Sequence, residues 1–266
     1  ALVGAMVICG INDFLAGIFL TIYNAKQKNL NQMPGAVGSF AGKMVILASL
    51  LGGPIANGAY LLGIALAGAA AIPISALNVI FGTIFARIFL KQKLSKRVGL
   101  GMMGCVIGAM IINFSGQIES KSFLLGVFCA LIAAICWGLE GMISSFGGSV
   151  LDSDIAVNIR ELVSGGTIII ILLPLLGGGK LFFSTLVAVS PMFFLVLSGF
   201  SAAISYLLWY KANASIGCAM GMSLNVTYAL WGVLLSVLFL GTSLTLGMMV
   251  GCVLIVIGAM IVSAES

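Results

Sequence analysis

Histidine is absent from this 266-residue sequence, and so is any C-x-x-C pair among its six cysteines. The lack of histidine removes the commonest metal ligand and general base. The cysteines all lie in apolar surroundings, which is typical of small packing residues and predicts neither a metal site nor a disulfide framework. No candidate nucleophile has a base within sequence reach. We therefore expect a protein that is not an enzyme and that has no metal and no cofactor.

Charge is equally scarce. Only 7% of the residues are charged and 61% are hydrophobic, whereas soluble domains are about 25% charged. Apolar runs of about 20 residues without strict alternation indicate membrane-spanning helices rather than a barrel. The sequence therefore predicts an all-α, polytopic protein in a lipid bilayer. The basic clusters at 26–28 and 91–97 are typical of a topological signal, and we expect no nucleic-acid partner.

The apolar runs predict nine spanning helices. Their expected bounds are about 2–23, 34–66, 69–90, 97–114, 122–147, 155–176, 185–212, 217–240 and 244–263.

An internal repeat organises these spans. Three short motifs recur at an offset of 147 or 146 residues: Leu77–Val79 as Leu224–Val226, Gly104–Val106 as Gly251–Val253, and Tyr60–Leu62 as Tyr206–Leu208. The repeat makes 185–212 the counterpart of 34–66. Because 185–212 has no break, we expect 34–66 to be one helix, kinked at Gly52-Gly53-Pro54.

The same offset leaves the span 122–147 without a counterpart, since that counterpart would precede residue 1. We therefore expect two five-helix units, residues 1–116 and 117–266, with the first helix missing from this chain. An odd number of helices per unit inverts the second unit relative to the first, which is the inverted-repeat plan of secondary transporters.

Basic residues concentrate on one predicted side of the membrane, which should be cytoplasmic. We expect a multi-pass protein of the bacterial inner membrane whose C-terminus is cytoplasmic. The residues placed on that side are Lys26, Lys28, Lys91, Lys93, Lys96, Arg97 and Lys211, with Lys43 and Arg87 near it, against Lys121 and Lys180 on the other side.

Trp137 and Glu140 lie well inside the span 122–147 and are three residues apart, so they share a helix face. A carboxylate inside a membrane is costly unless it meets a partner or a wet cavity, and an aromatic ring beside it suits a quaternary ammonium ligand. The alternative is structural, because Glu140 and Arg160 could simply neutralise each other. We expect Glu161 at the water boundary.

Further candidate site residues are Asp13, the repeat-equivalent tyrosines Tyr60 and Tyr206, and Asn225 with Tyr228. Tyrosine and tryptophan in membrane helices often form an interfacial belt. That reading fits Trp209 and Tyr210, next to Lys211. Trp137, Tyr206 and Tyr228 lie deeper, which favours a cavity. Glycines such as Gly104 and Gly251 have the spacing of close helix packing.

These residues resemble a known family. Two five-helix repeats with a basic loop after the third span resemble the drug/metabolite transporter superfamily with EamA-type repeats. The segments that resemble the LicB-type bacterial choline permeases within it are Asn12–Leu15, Cys129–Glu140, Ser144–Phe146, Ile159–Arg160, Ile204–Tyr206 and Leu224–Trp231.

The resemblance implies import of choline or a related quaternary ammonium compound by alternating access. Trp137, Tyr206 and Tyr228 would form an aromatic cage, Glu140 with Asp13 would supply negative charge, and Asn225 would contact the hydroxyl end. Two alternatives stay open: an exporter of amino acids or small amphipathic metabolites, and a non-transporting membrane protein such as a sensor. Proton or sodium coupling and homodimer formation are also open.

Overall fold

The computed structural model describes residues 2–68, 71–113, 122–241 and 243–264, and every regular element in those ranges is helical. The chain divides into two compact units. One contains residues 1–61 and 143–215, and the other contains residues 62–142 and 216–266. Each unit therefore draws on both halves of the sequence. The expected boundary at 116/117 and Lys121 lie outside the described residues.

The helices of the first unit are α1 (Leu2–Lys26), α2 (Met33–Gly38), α3 (Phe40–Leu50), α9 (Ser153–Thr167), α10 (Leu173–Leu175), α11 (Gly179–Val187) and α12 (Val189–Ile216). The second unit holds α5 (Ala71–Ser75), α6 (Asn78–Phe89), α7 (Lys96–Asn113), α13 (Cys218–Asn225), α14 (Tyr228–Leu240) and α15 (Leu246–Ser263). Helices α4 (Gly58–Ala67) and α8 (Phe123–Val150) run across the division of the chain.

Six helical stretches in the described part of the chain are long and apolar enough to cross a membrane. They are Leu2–Lys26, Phe40–Ala67, Phe123–Val150, Ser153–Leu175, Val189–Ile216 and Cys218–Phe239. Many large apolar side chains stay exposed on them, as lipid-facing surfaces require. The protein is a polytopic, all-helical membrane protein, and the count of nine spans stays a prediction.

The span expected at 34–66 is one continuous helical stretch, but it begins later than expected. Ser39 is extended, and its hydroxyl accepts a hydrogen bond from the Gly42 amide at 3.0 Å, so the long helix starts at Phe40. The expected kink falls on a π-helical segment, Leu51–Asn57, that contains Pro54. A wider turn is one way to accommodate a proline that cannot donate to the helical ladder.

Three expected spans are interrupted, which corrects the sequence-based assignment. The stretch 69–90 breaks at 76–77 and the stretch 217–240 breaks at 226–227. The Ser75 and Thr227 hydroxyls bond to carbonyls three residues back, at 2.8 and 2.7 Å, and compete locally with the helical ladder. The stretch 185–212 is instead divided at the extended residue Ala188.

Glycines join α7 to α15, as their spacing predicts. A Cβ on Gly108 would lie 2.6 Å from the carbonyl oxygen of Gly251, and one on Gly251 would lie 2.6 Å from that of Gly108. Gly101 and Gly258 make the same reciprocal contact at 2.6 Å. The two backbones therefore touch, which no larger residue would allow.

We predict opposite effects for one substitution at two positions of α7. Gly108→Ala should lower the free energy of unfolding by about 1–3 kcal/mol, because the new methyl group meets backbone. Gly99→Ala should leave stability unchanged or raise it by up to about 1 kcal/mol, because alanine favours helix and the nearest atom to its Cβ is 3.9 Å away. Thermal unfolding in detergent compares the two, and equal effects would contradict the packing described.

Candidate functional site

Arg160 is the centre of a buried polar cluster in the first unit. It lies on α9 and is fully buried, and its guanidinium nitrogen Nη1 lies 2.9 Å from Glu161 Oε1 and 3.5 Å from Asp13 Oδ2. The Ser164 hydroxyl donates to Asp13 Oδ2 at 2.6 Å. One cation therefore meets two carboxylates in an apolar surrounding, and the hydroxyl helps to satisfy one of them.

Close packing of α1 on α9 brings these groups together. Gly165 packs on the backbone of Phe14, and a Cβ on Gly17 would lie 2.7 Å from the Leu162 side chain. Asn158 fastens the same pair of helices, since its amide donates to the Gly17 carbonyl at 2.8 Å and to Thr21 at 3.0 Å. The small residues of α1 thus let Asp13 reach Arg160.

Helix α12 supplies an aromatic wall to this cluster. The Arg160 guanidinium carbon lies 4.1 Å from the centre of the Tyr206 ring, and Nη2 donates to the Tyr206 hydroxyl at 3.2 Å. Trp209 packs edge-on against Tyr206 with ring centres 5.9 Å apart. Tyr206 therefore contacts a cation that belongs to the protein itself.

Two sequence-based expectations about this region are wrong. Glu161 is fully buried rather than at the water boundary, because it faces the Arg160 guanidinium. Tyr210 is also fully buried rather than part of an interfacial belt, because it lies on the inward face of α12 with Gly199 and Ala203. Trp209 is only partly buried. The pairing of Arg160 with Glu140 stays a prediction.

A more exposed ion pair lies at one end of the same unit. Lys211 Nζ on α12 is 2.7 Å from Asp154 Oδ1 at the start of α9, with the lysine side chain 44% exposed. The Asn24 amide, near the end of α1, donates to the Asp154 carbonyl at 3.0 Å. These contacts bring Asn24, Asp154 and Lys211 together at one end of α1, α9 and α12.

Glu140 is the buried carboxylate of the second unit. It lies on α8 and is 2% exposed. Neighbouring glycines let α8 approach two other helices. A Cβ on Gly138 would lie 2.8 Å from the Gly82 amide nitrogen and 3.1 Å from the Asn78 carbonyl oxygen, both on α6, while Gly141 packs on Met222 of α13. Glu140 is therefore within one helical turn of both contacts.

Both of those partner helices belong to interrupted spans. Helix α6 begins at Asn78, directly after the break at 76–77, and α13 ends at Asn225, directly before the break at 226–227. The amino end of a helix carries partial positive charge and its carboxyl end partial negative charge. Half-helix ends of this kind line substrate sites in transporters.

The seven expected site residues are divided between the two units. Asp13, Tyr60 and Tyr206 belong to the first unit, where Arg160 links Asp13 to Tyr206. The other four, Trp137, Glu140, Asn225 and Tyr228, belong to the second unit. Trp137 is partly buried there, whereas Asn225 is exposed and Tyr228 is 56% exposed.

Sequence reasoning missed Ser164, which donates to Asp13 in the Arg160 cluster, and Asn158, which holds α9 against α1. Ser164 lies four residues after Arg160, so helical spacing could have placed it on the same face. Asn158 carries no comparable signal in the sequence.

Buried ion pairs and interrupted spans are typical of membrane transporters, and sequence comparison identifies the family. Residues 124–264 match the EamA-like transporter family, and the chain belongs to it. It is 28% identical over 190 residues to Protein LicB of Haemophilus influenzae, and 26% identical over 193 residues to an uncharacterized transporter of Clostridium kluyveri.

These matches cover 70% and 69% of this chain but only 63% and 60% of the two relatives, so the chain spans less than two thirds of their length. A solved crystal structure shares the fold, with a TM-score of 0.72 over 98% of this chain and 88% of that one, at 12% identity.

The Arg160 cluster makes a testable prediction about stability. Arg160→Met should lower the free energy of unfolding by about 3–5 kcal/mol, because it leaves two carboxylates buried without their cation. Adding Asp13→Asn should restore part of that loss. Thermal unfolding of the purified protein measures both effects.

Lys211→Met is the matched control, because it removes a more exposed ion pair, which should contribute about 1 kcal/mol or less to the free energy of unfolding. Equal losses for Arg160→Met and Lys211→Met would contradict a stabilising role for the buried cluster.

Proposed function

We propose that this protein is a secondary transporter that imports choline or a related quaternary ammonium compound across the bacterial inner membrane. Membership of the EamA-like family establishes the transporter class. The observation that carries the substrate proposal is Glu140, a buried carboxylate on α8 whose neighbours Gly138 and Gly141 pack on the helices of two interrupted spans. The similarity to Protein LicB also supports this proposal.

The chemistry of the ligand explains the choice of residues. A quaternary ammonium group has no proton to donate, so it is recognised by negative charge and by aromatic faces rather than by hydrogen bonds. Glu140 supplies the charge in this proposal, and Trp137, Tyr206 and Tyr228 supply rings at roughly 0.5–2 kcal/mol each. Asn225 contacts the hydroxyl end, and Tyr60 lies at the position equivalent to Tyr206 in the first repeat.

Asp13 has a smaller part than Glu140 in the proposed site. Its carboxylate already accepts the Ser164 hydroxyl and lies 3.5 Å from the Arg160 guanidinium. Those contacts offset much of its charge within the first unit. Asp13 therefore sets the electrostatic balance around Tyr206, while Glu140 carries the attraction for the cation.

We further propose that residues 1–116 and 117–266 are inverted repeats that support alternating access, driven by a proton or sodium gradient. Two features support the repeat. The breaks at 76–77 and 226–227 fall within a few residues of equivalent positions at the 147-residue offset. Helices α7 and α15, which are also equivalent at that offset, make reciprocal glycine contacts. In this proposal the C-terminus is cytoplasmic, because basic residues concentrate on its predicted side of the membrane.

The Arg160 cluster favours a second candidate function, export of amino acids or small amphipathic metabolites. A buried guanidinium against Tyr206 suits the carboxylate of a zwitterion. That substrate would have to compete with Asp13 and Glu161 for the guanidinium. Outward flux of amino acids, without any effect of choline, would support this candidate.

We predict that the purified protein binds choline and that two substitutions of Trp137 weaken this binding to different degrees. Trp137→Phe keeps an aromatic face, so binding should weaken only a few-fold. Trp137→Leu removes the face while keeping an apolar side chain, so binding should weaken by roughly tenfold or more. Calorimetry in detergent measures both dissociation constants.

Glu140→Gln tests the charge at nearly constant shape, and it should abolish measurable choline binding while the protein still unfolds cooperatively. Tyr23→Phe, on an aromatic residue outside the proposed site, is the control and should bind like wild type. Choline affinity that is the same in Trp137→Leu, Glu140→Gln and wild type would overturn the proposal.

A further inference from the structure

A basic pocket opens at the end of α6 in the second unit, away from Glu140 in the sequence. It has a volume of about 430 Å³ and is lined by Arg87, Lys91, Gln92, Lys93 and Leu94. The three cations are exposed. The ion pairs found in the described residues involve Arg160 and Lys211 and none of these three side chains. Among the residues that the structure describes, no carboxylate therefore pairs with the cations of the pocket.

The described cations of the second unit are concentrated around this pocket. All five of its described cations lie between Arg87 and Arg97, and Glu140 is its single described acidic residue. Charges this close together raise the local positive potential and attract an anion. The pocket therefore lies where the described cations of the unit are concentrated, which favours binding of an anion.

The backbone that lines the pocket folds back on the end of α6 and is held there by hydrogen bonds. Lys91 adopts a left-handed conformation with φ of 55°, and the Gln92 amide donates to the Ala86 carbonyl at 3.2 Å. These features fold the chain back on the end of α6. The Gln92 side chain is also fixed, because its Oε1 accepts the Cys218 amide at 3.1 Å. Gln92 therefore connects the pocket wall to the first residue of α13.

The surroundings of the pocket suit a lipid. Ile88 and Phe89, directly before the loop, are 63% and 64% exposed, as expected for side chains that face acyl chains. The basic loop that follows is polar, as expected at the membrane surface. Apolar side chains next to clustered cations match a phospholipid, whose chains lie beside its anionic headgroup.

We propose that the pocket formed by Arg87, Lys91 and Lys93 binds the phosphate group of an anionic phospholipid. A free phosphate or a soluble phosphate ester presents the same chemistry, so it is the second source to be tested. Occupancy holds the loop that contacts Cys218, and it thereby supports the start of α13. This site is independent of the substrate proposed above, and its test does not require transport.

The experiment uses the full chain, purified in an uncharged detergent. Dioctanoyl phosphatidylglycerol is titrated against dioctanoyl phosphatidylcholine and against sodium phosphate, and binding is followed by native mass spectrometry and thermal shift. We expect phosphatidylglycerol to bind and to raise Tm more than phosphatidylcholine. Retention of phosphatidylglycerol without an effect of phosphate identifies a lipid site, and a comparable effect of phosphate identifies a general phosphate site. Both results support the pocket.

Variants locate the binding. Changing Arg87, Lys91 and Lys93 together to glutamine should weaken phosphatidylglycerol binding at least about tenfold, because each cation near an anionic lipid contributes roughly a fivefold factor. The matched control changes the exposed Lys26, Lys43 and Lys180 to glutamine, which removes the same net charge elsewhere. Equal binding by the two triple variants would overturn the proposal, and so would equal binding of the two lipids with no effect of phosphate.

Discussion

The cost of placing charge in an apolar surrounding is the constraint on which the rest of this structure depends. Burial of the Arg160 guanidinium is offset by Asp13, Glu161 and Tyr206, which lie on three helices. Those helices must then approach closely, which explains Gly17 and Gly165 at the contact of α1 with α9. The same reasoning makes Glu140 the residue whose burial calls for a function.

The two units meet this constraint in different ways. The first surrounds its cation with protein carboxylates, a hydroxyl and an aromatic ring, which is a structural solution. The second buries Glu140 on α8, where the neighbouring Gly138 and Gly141 pack on α6 and α13.

Composition and hydropathy were enough to predict an all-helical membrane protein, and proline chemistry predicted an irregular helix at Pro54, where the structure has a π-helical segment. The glycine pairs of α7 and α15 followed from spacing. The helix breaks did not, because Ser75 and Thr227 are common in continuous helices and interrupt them only in context. Burial of Glu161 was missed because a charge near the expected end of an apolar span is usually solvated, and the sequence does not show that other helices pack over this part of α9.

The most direct test of the central claim is uptake of labelled choline into proteoliposomes, in competition with its uncharged isostere 3,3-dimethyl-1-butanol. The two compounds have nearly the same shape and differ in charge. A buried carboxylate with aromatic neighbours predicts saturable uptake that excess unlabelled choline blocks and the isostere leaves unchanged. Uptake blocked equally by both compounds, or no uptake at all, would contradict a site that recognises the cationic group.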